Sequence, residues 1–74
     1  MTILKKKEKF IGDMLYHRRF SLGFSLDKLS AKIRRSKNAV YKWEVGINKP
    51  NAQSLYLLAK ALKVKPDYFY HRNA

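Results

Sequence analysis

Apolar residues recur along this chain at helical spacing, in short runs separated by residues that start and stop helices. Between Lys7 and Leu22, the residues Phe10, Ile11, Met14, Leu15 and Leu22 follow i, i+3, i+4 steps, and Gly23 stands where a left-handed cap ends a helix. This spacing predicts a first helix over 7–22. Ser25 is placed as an N-cap ahead of Leu26, Leu29 and Ile33, with Asp27 in the first turn, where a negative charge suits the helix dipole. A short second helix follows from that. Ser36 opens a third, Lys37 to Val45, with Val40 and Trp43 facing inward and Gly46 closing it. Asn51 caps a fourth, in which Leu55, Leu58, Ala59 and Leu62 make an apolar stripe. Pro66 suits a first helical position, and Tyr68-Phe69-Tyr70 supplies one last turn. No stretch alternates with period two for more than a few residues, so the predicted fold class is all-α, a compact bundle of five short helices.

Composition narrows the function. The 74 residues include 17 Lys and Arg against 5 Asp and Glu, a net charge of +12, which leaves room for one small domain and excludes most enzymes. A hydrophobic content of 46% lifts the chain out of the regime in which charge keeps a segment disordered. There is no cysteine, so neither disulfides nor thiolate zinc sites can supplement a small core. Surplus positive charge on so small a surface favours polyanions, nucleic acid first and anionic membrane second. The expected organisation is a basic N-terminal arm over 1–9, a domain over 10–71 and a short tail over 72–74. The first nine residues lack the apolar core of a signal peptide, and apolar runs break well before the ~20 residues needed to span a bilayer. A cytoplasmic protein without membrane contact is expected. No nucleophile beside a base, paired carboxylates or Gly-rich phosphate loop can be assembled, so no catalysis is expected. His17 and His71 lack a third ligand at metal spacing, so no metal or other cofactor is expected.

Two short helices joined by a three-residue turn, Leu26–Ile33 and the helix capped by Ser36, have the form of a helix-turn-helix. In such a unit the second helix must project its N-terminal residues toward base edges in the major groove while the first braces it across the backbone. Lys37, Asn38, Tyr41 and Lys42 fall on the outward side of that second helix, whereas Ala39, Val40 and Trp43 lie nearer the core.

The segment Ser25-Leu26-Asp27-Lys28-Leu29-Ser30-Ala31-Lys32-Ile33, then Ser36 through Gly46, then Asn48-Lys49-Pro50, resembles the lambda-repressor/Cro-type helix-turn-helix family. Ser54 through Val64 and Asp67-Tyr68-Phe69 are similar to that family's fourth and fifth helices, so the resemblance covers about residues 10–70. It implies that Lys37, Asn38 and Lys42 read bases, with Tyr41 beside them. Asn reads adenine, Lys donates to guanine acceptors, and a Tyr ring suits a thymine methyl or a phosphate. Ser25, Ser36, Asn48 and Lys49 fall on the family's phosphate-contact positions. An Arg19–Glu44 ion pair is likewise implied by the resemblance.

Three departures from the family pattern stand out. The common Gly of the turn is Arg34, and a side chain in the left-handed conformation costs roughly 1 kcal/mol or more, so a differently shaped turn is expected. Leu26 replaces the Gln or Thr that usually opens the second helix, removing a phosphate contact for which Arg35, Lys28 or Lys32 would substitute. Ser30 occupies the small inner position and adds a hydroxyl that needs a partner.

Trp43, Leu55, Leu58 and Leu62 are expected in the core. Phe69 joins them, leaving Tyr68 or Tyr70 available to a partner. The function expected is a sequence-specific double-stranded DNA-binding transcriptional regulator, a repressor, acting as a homodimer on a two-fold symmetric operator. The alternative is an antitoxin-like protein-interaction module that also autoregulates by binding DNA, with the aromatic C-terminus as its protein-docking element. A cationic RNA- or membrane-binding peptide is the remaining rival, and the capped short helices argue against a membrane-lying one.

Overall fold

The structure, a computed structural model, describes residues 9–71. Apart from Lys9, the expected basic arm over 1–9 and the tail over 72–74 lie outside the described residues. The fold is all-helical. Four α-helices, α1 (Gly12–Ser21), α2 (Leu26–Ile33), α3 (Lys37–Val45) and α4 (Ala52–Leu62), precede a closing 3-10 turn over Pro66–Tyr70. Helix α1 packs on α3 and on the 3-10 turn, α2 packs on α3 and α4, and α4 packs on the 3-10 turn.

The caps account for most of these boundaries. Ser25 and Ser36 each accept a backbone N–H three residues on, from Lys28 and Ala39 at 3.0 Å, and Asn51 accepts that of Ser54 at 2.8 Å. After α1, Gly23 turns left-handed with φ +78°, its N–H donating to Phe20 and that of Phe24 to Arg19. The same two-bond closure ends α2 at Arg34 and α4 at Lys63, with φ of 60° and 61°. The turn of the helix-turn-helix therefore keeps the left-handed residue, against the sequence expectation of a different shape, and Arg34 carries the strain.

That strain predicts a stabilising substitution. Glycine removes about 1–2 kcal/mol of left-handed strain and returns part of it as unfolded-chain entropy. Arg34→Gly is expected to raise stability by about 0.5–1 kcal/mol in urea unfolding. A loss of stability would instead mean that the Arg34 side chain makes contacts worth more than the strain.

The first helix begins five residues later than its periodicity predicts. Ile11 is extended, with φ −108° and ψ 105°, and its N–H donates to the Phe69 carbonyl at 2.8 Å. Phe10 lies against Phe69 and Tyr70, with ring centroids 5.5 and 6.0 Å apart. Both residues thus pack on the core from a straight segment held by the C-terminal turn.

Met14, Leu15, Leu29, Ile33, Val40, Trp43, Leu58, Ala59, Ala61, Leu62 and Phe69 form the core. Trp43 is inside, as expected. Leu55 is only half-buried because the inner face of α4 is rotated toward Ser54, Leu58 and Ala61, and Leu22, counted on the first apolar face, is exposed beyond the end of α1. The Ser30 hydroxyl has its partner one turn back, donating to the Asp27 carbonyl at 3.0 Å. Tyr68 and Tyr70 are half-buried against the core, and Tyr56 on α4 is the more exposed aromatic, at 57%.

Candidate nucleic-acid interface

The site is built on the first turns of α2 and α3 and on the loop that leaves α3. Val40 and Trp43 anchor the inner side of α3, so Lys37, Asn38 and Tyr41 stand out in solvent, with Lys42 half-buried beside them. Tyr41 shares a shallow groove with Tyr16, Leu26 and Val45. The hydroxyls of Ser25 and Ser36 are engaged as cap acceptors while both residues remain exposed at their helix starts. Lys28 and Lys32 are exposed on α2.

Asn48 and Lys49 are placed by a single carbonyl. The Lys42 carbonyl accepts the N–H groups of Gly46, Ile47 and Asn48 at 3.1, 2.9 and 3.3 Å, which folds the loop back over the end of α3. Gly46, at φ +88°, makes this reversal without a side-chain penalty. Asn48 and Lys49 are both exposed on that loop. Arg35 is committed differently, its Nε donating to the Ser54 hydroxyl at 2.9 Å and its Nη1 to the Arg34 carbonyl at 3.1 Å. It ties the turn to α4 and sits half-exposed.

The orientation of α3 is fixed from behind. Arg19 on α1 makes a two-point contact with Glu44, Nε to Oε2 at 2.6 Å and Nη2 to Oε1 at 3.1 Å, and its Nη1 donates to the Phe24 carbonyl at 2.8 Å. The two side chains are 10% and 6% exposed, so this is a nearly dry, fully hydrogen-bonded pair. The hydrogen bond to Glu44 raises the guanidinium above its ordinary value; burial opposes this, and the attraction of Glu44 and then of Tyr16 adds to it. The guanidinium is therefore permanently charged. A second clamp joins the other end of the bundle, where Arg18 Nε donates to the Leu62 carbonyl at 2.9 Å.

Two features had escaped the sequence. Lys37 Nζ lies 3.2 Å from Asp27 Oδ1, which links the first turn of α2 to the first residue of α3. Gly12 is the other. A Cβ on it would collide with the carbonyl oxygens of Glu44 and Trp43, so α1 starts in direct backbone contact with the end of α3. Both acids of the 24–51 segment, Asp27 and Glu44, are paired to bases, which leaves the face around α3 strongly positive. Among the described residues no group of three potential metal ligands comes together, and no helix is long and apolar enough to cross a membrane.

Residues 15–69 match the family described as helix-turn-helix. The chain belongs to the lambda repressor/Cro-type helix-turn-helix family. Among curated members of this family, it is 34% identical over 68 residues to an uncharacterized HTH-type transcriptional regulator of Rickettsia prowazekii, covering 92% of this chain and 52% of that protein. The chain spans about half the length of the curated relatives it matches. Among helix-turn-helix structures, it is similar to the P22 c2 repressor in complex with a synthetic operator, with a TM-score of 0.81 and 29% identity over 88% of this chain and 98% of that one. It is also similar to SinR of Bacillus subtilis, a master regulator for biofilm formation solved in complex with DNA, with a TM-score of 0.74 and 25% identity over 78% and 97% of the two chains.

Proposed function

We propose that this chain is a sequence-specific double-stranded DNA-binding transcriptional regulator of the repressor type, which lays α3 in the major groove. The observation that carries this reading is the exposed set Lys37, Asn38 and Tyr41, with the half-buried Lys42 beside them, on a helix that Val40, Trp43 and the Arg19–Glu44 pair hold rigidly from behind. Lys37 and Lys42 donate to guanine acceptors, Asn38 pairs with an adenine edge, and Tyr41 lies against a thymine methyl or a phosphate. Ser25, Lys28, Arg35, Ser36, Asn48 and Lys49 flank that helix and contact phosphates, which sets the register and supplies most of the salt-dependent affinity. The half-buried Arg35 brings only the edge of its guanidinium that Ser54 leaves free. Regulators of this kind in DNA-bound form among the similar structures support the same reading. Binding is the activity, with no cofactor, and two copies on DNA place two α3 helices about one turn apart on a two-fold symmetric site.

The test is selection of bound duplexes from a random pool at near-physiological salt with excess non-specific competitor. The expected result is one enriched motif with two-fold symmetry. Salt-sensitive retention without enrichment would reduce the charge to generic polyanion binding and bring an RNA or protein partner forward.

A further inference from the structure

An acid on the face that meets DNA needs a reason, because phosphates repel it. Asp27 stands on that face, beside Ser25 and Lys28 in the first turn of α2, with its side chain 78% exposed. Its place at the helix start accounts for a negative charge there. It does not account for the contact across the turn, where Asp27 Oδ1 meets Lys37 Nζ at 3.2 Å with the lysine side chain 58% exposed. Exposed ion pairs of this kind add little to folding stability. What the contact does fix is an arrangement, a donor held next to an acceptor at the end of α3 that enters the groove.

A G·C pair presents its major-groove edge in the order guanine N7 and O6, both acceptors, then the cytosine N4 donor. O6 and N4 are joined by a Watson–Crick hydrogen bond and so lie about 3 Å apart. The Lys37–Asp27 couple has the opposite polarity at a matching separation. An A·T pair also sets a donor beside an acceptor, adenine N6 beside thymine O4, but gives the ammonium one acceptor there instead of the adjacent two of guanine. The couple therefore favours G·C through the second acceptor that Lys37 reaches while Asp27 holds it in place. We propose that Asp27 and Lys37 read one G·C pair as a unit, Lys37 donating to guanine O6 and N7 and Asp27 accepting from N4 of the paired cytosine, which makes Asp27 a specificity-determining residue. Lys37 also neutralises the carboxylate as it approaches the phosphates, so Asp27 adds discrimination without a large loss of attraction. The inference rests on the groove-reading role of α3.

The experiment is a set of parallel selections from one random duplex pool with the full chain, Asp27→Ala, Lys37→Met, the double variant, and Asp67→Asn as a charge control away from this face. The expected result is a G·C preference at one position of each half-site in the unaltered chain. That preference falls about tenfold in Asp27→Ala and in Lys37→Met, with no further loss in the double variant, while the rest of the motif stays. Asp67→Asn leaves every base preference in place. The inference is overturned if Asp27→Ala changes base preferences no more than Asp67→Asn does, or if the two single variants act at different positions. Absence of any motif with the unaltered chain overturns the groove-reading role itself, which separates the two failures.

Discussion

Replacing Gly12 with alanine is expected to destabilise the domain by about 3 kcal/mol or more, an effect of the overpacking kind at its upper end. Its added methyl group would collide with the carbonyl oxygens of Glu44 and Trp43. Both obstacles are backbone, so no rotamer change relieves them, and α1 must move off α3. A small domain holds on the order of 5–10 kcal/mol in total, so the loss would be a large share of it. Thermal unfolding should show a midpoint lowered by more than about 12 °C. The sign is the informative part. At an ordinary helical position the same substitution gains up to about 1 kcal/mol, and a gain here would mean that the two helices do not meet as described.

The Arg19–Glu44 pair carries the second large effect. With side chains 10% and 6% exposed, removing one partner leaves the other charged and nearly dry. Glu44→Ala is expected to cost about 3 kcal/mol in urea unfolding, because Arg19 keeps only the Phe24 carbonyl as a hydrogen-bond partner, beside the Tyr16 ring. A volume-matched apolar replacement of both residues, Arg19→Met with Glu44→Leu, removes the orphaned charge as well and is expected within about 1 kcal/mol of the unaltered chain. The double-mutant cycle isolates the coupling. Additive losses, or a single-variant cost below about 1 kcal/mol, would mean that the pair behaves as an exposed one and does not hold α3.

Much of this architecture is legible from local chemistry. Ser25, Ser36 and Asn51 are cap residues in sequence and cap acceptors in space, and Gly23 and Gly46 take the left-handed turns that their positions suggest. What escaped depends on contacts distant in the chain. Phe10 and Ile11 continue the helical spacing of Met14 and Leu15, yet the bond from Ile11 to Phe69 holds them extended, and periodicity carries no information about a partner 58 residues away. Gly12 carries no local signal, and its role rests on the carbonyls of α3 placed against it. Arg34 keeps the left-handed turn although its side chain disfavours it, since both neighbouring helices are fixed by their caps and by the core. At the interface, the outward residues of α3 follow from spacing and the inward position of Trp43, whereas the Asp27–Lys37 contact depends on the angle between two helices. Side-chain identity at Lys37, Asn38 and Lys42 restricts the bases they can read, and the placement of the backbone in the groove decides among them.

The central claim is that α3 distinguishes one DNA sequence from another. Its most direct measurement is a titration of the unaltered chain and of Asn38→Ala/Lys42→Ala with the enriched duplex and with a shuffled one, over a series of salt concentrations. The account predicts a preference on the order of a thousandfold for the enriched duplex in the unaltered chain, with log affinity falling against log salt at a slope of about −4 to −5 per protomer. In the variant most of that preference disappears while salt-sensitive binding persists. A variant that keeps the full preference would contradict the account, because Asn38 and Lys42 would then take no part in sequence reading.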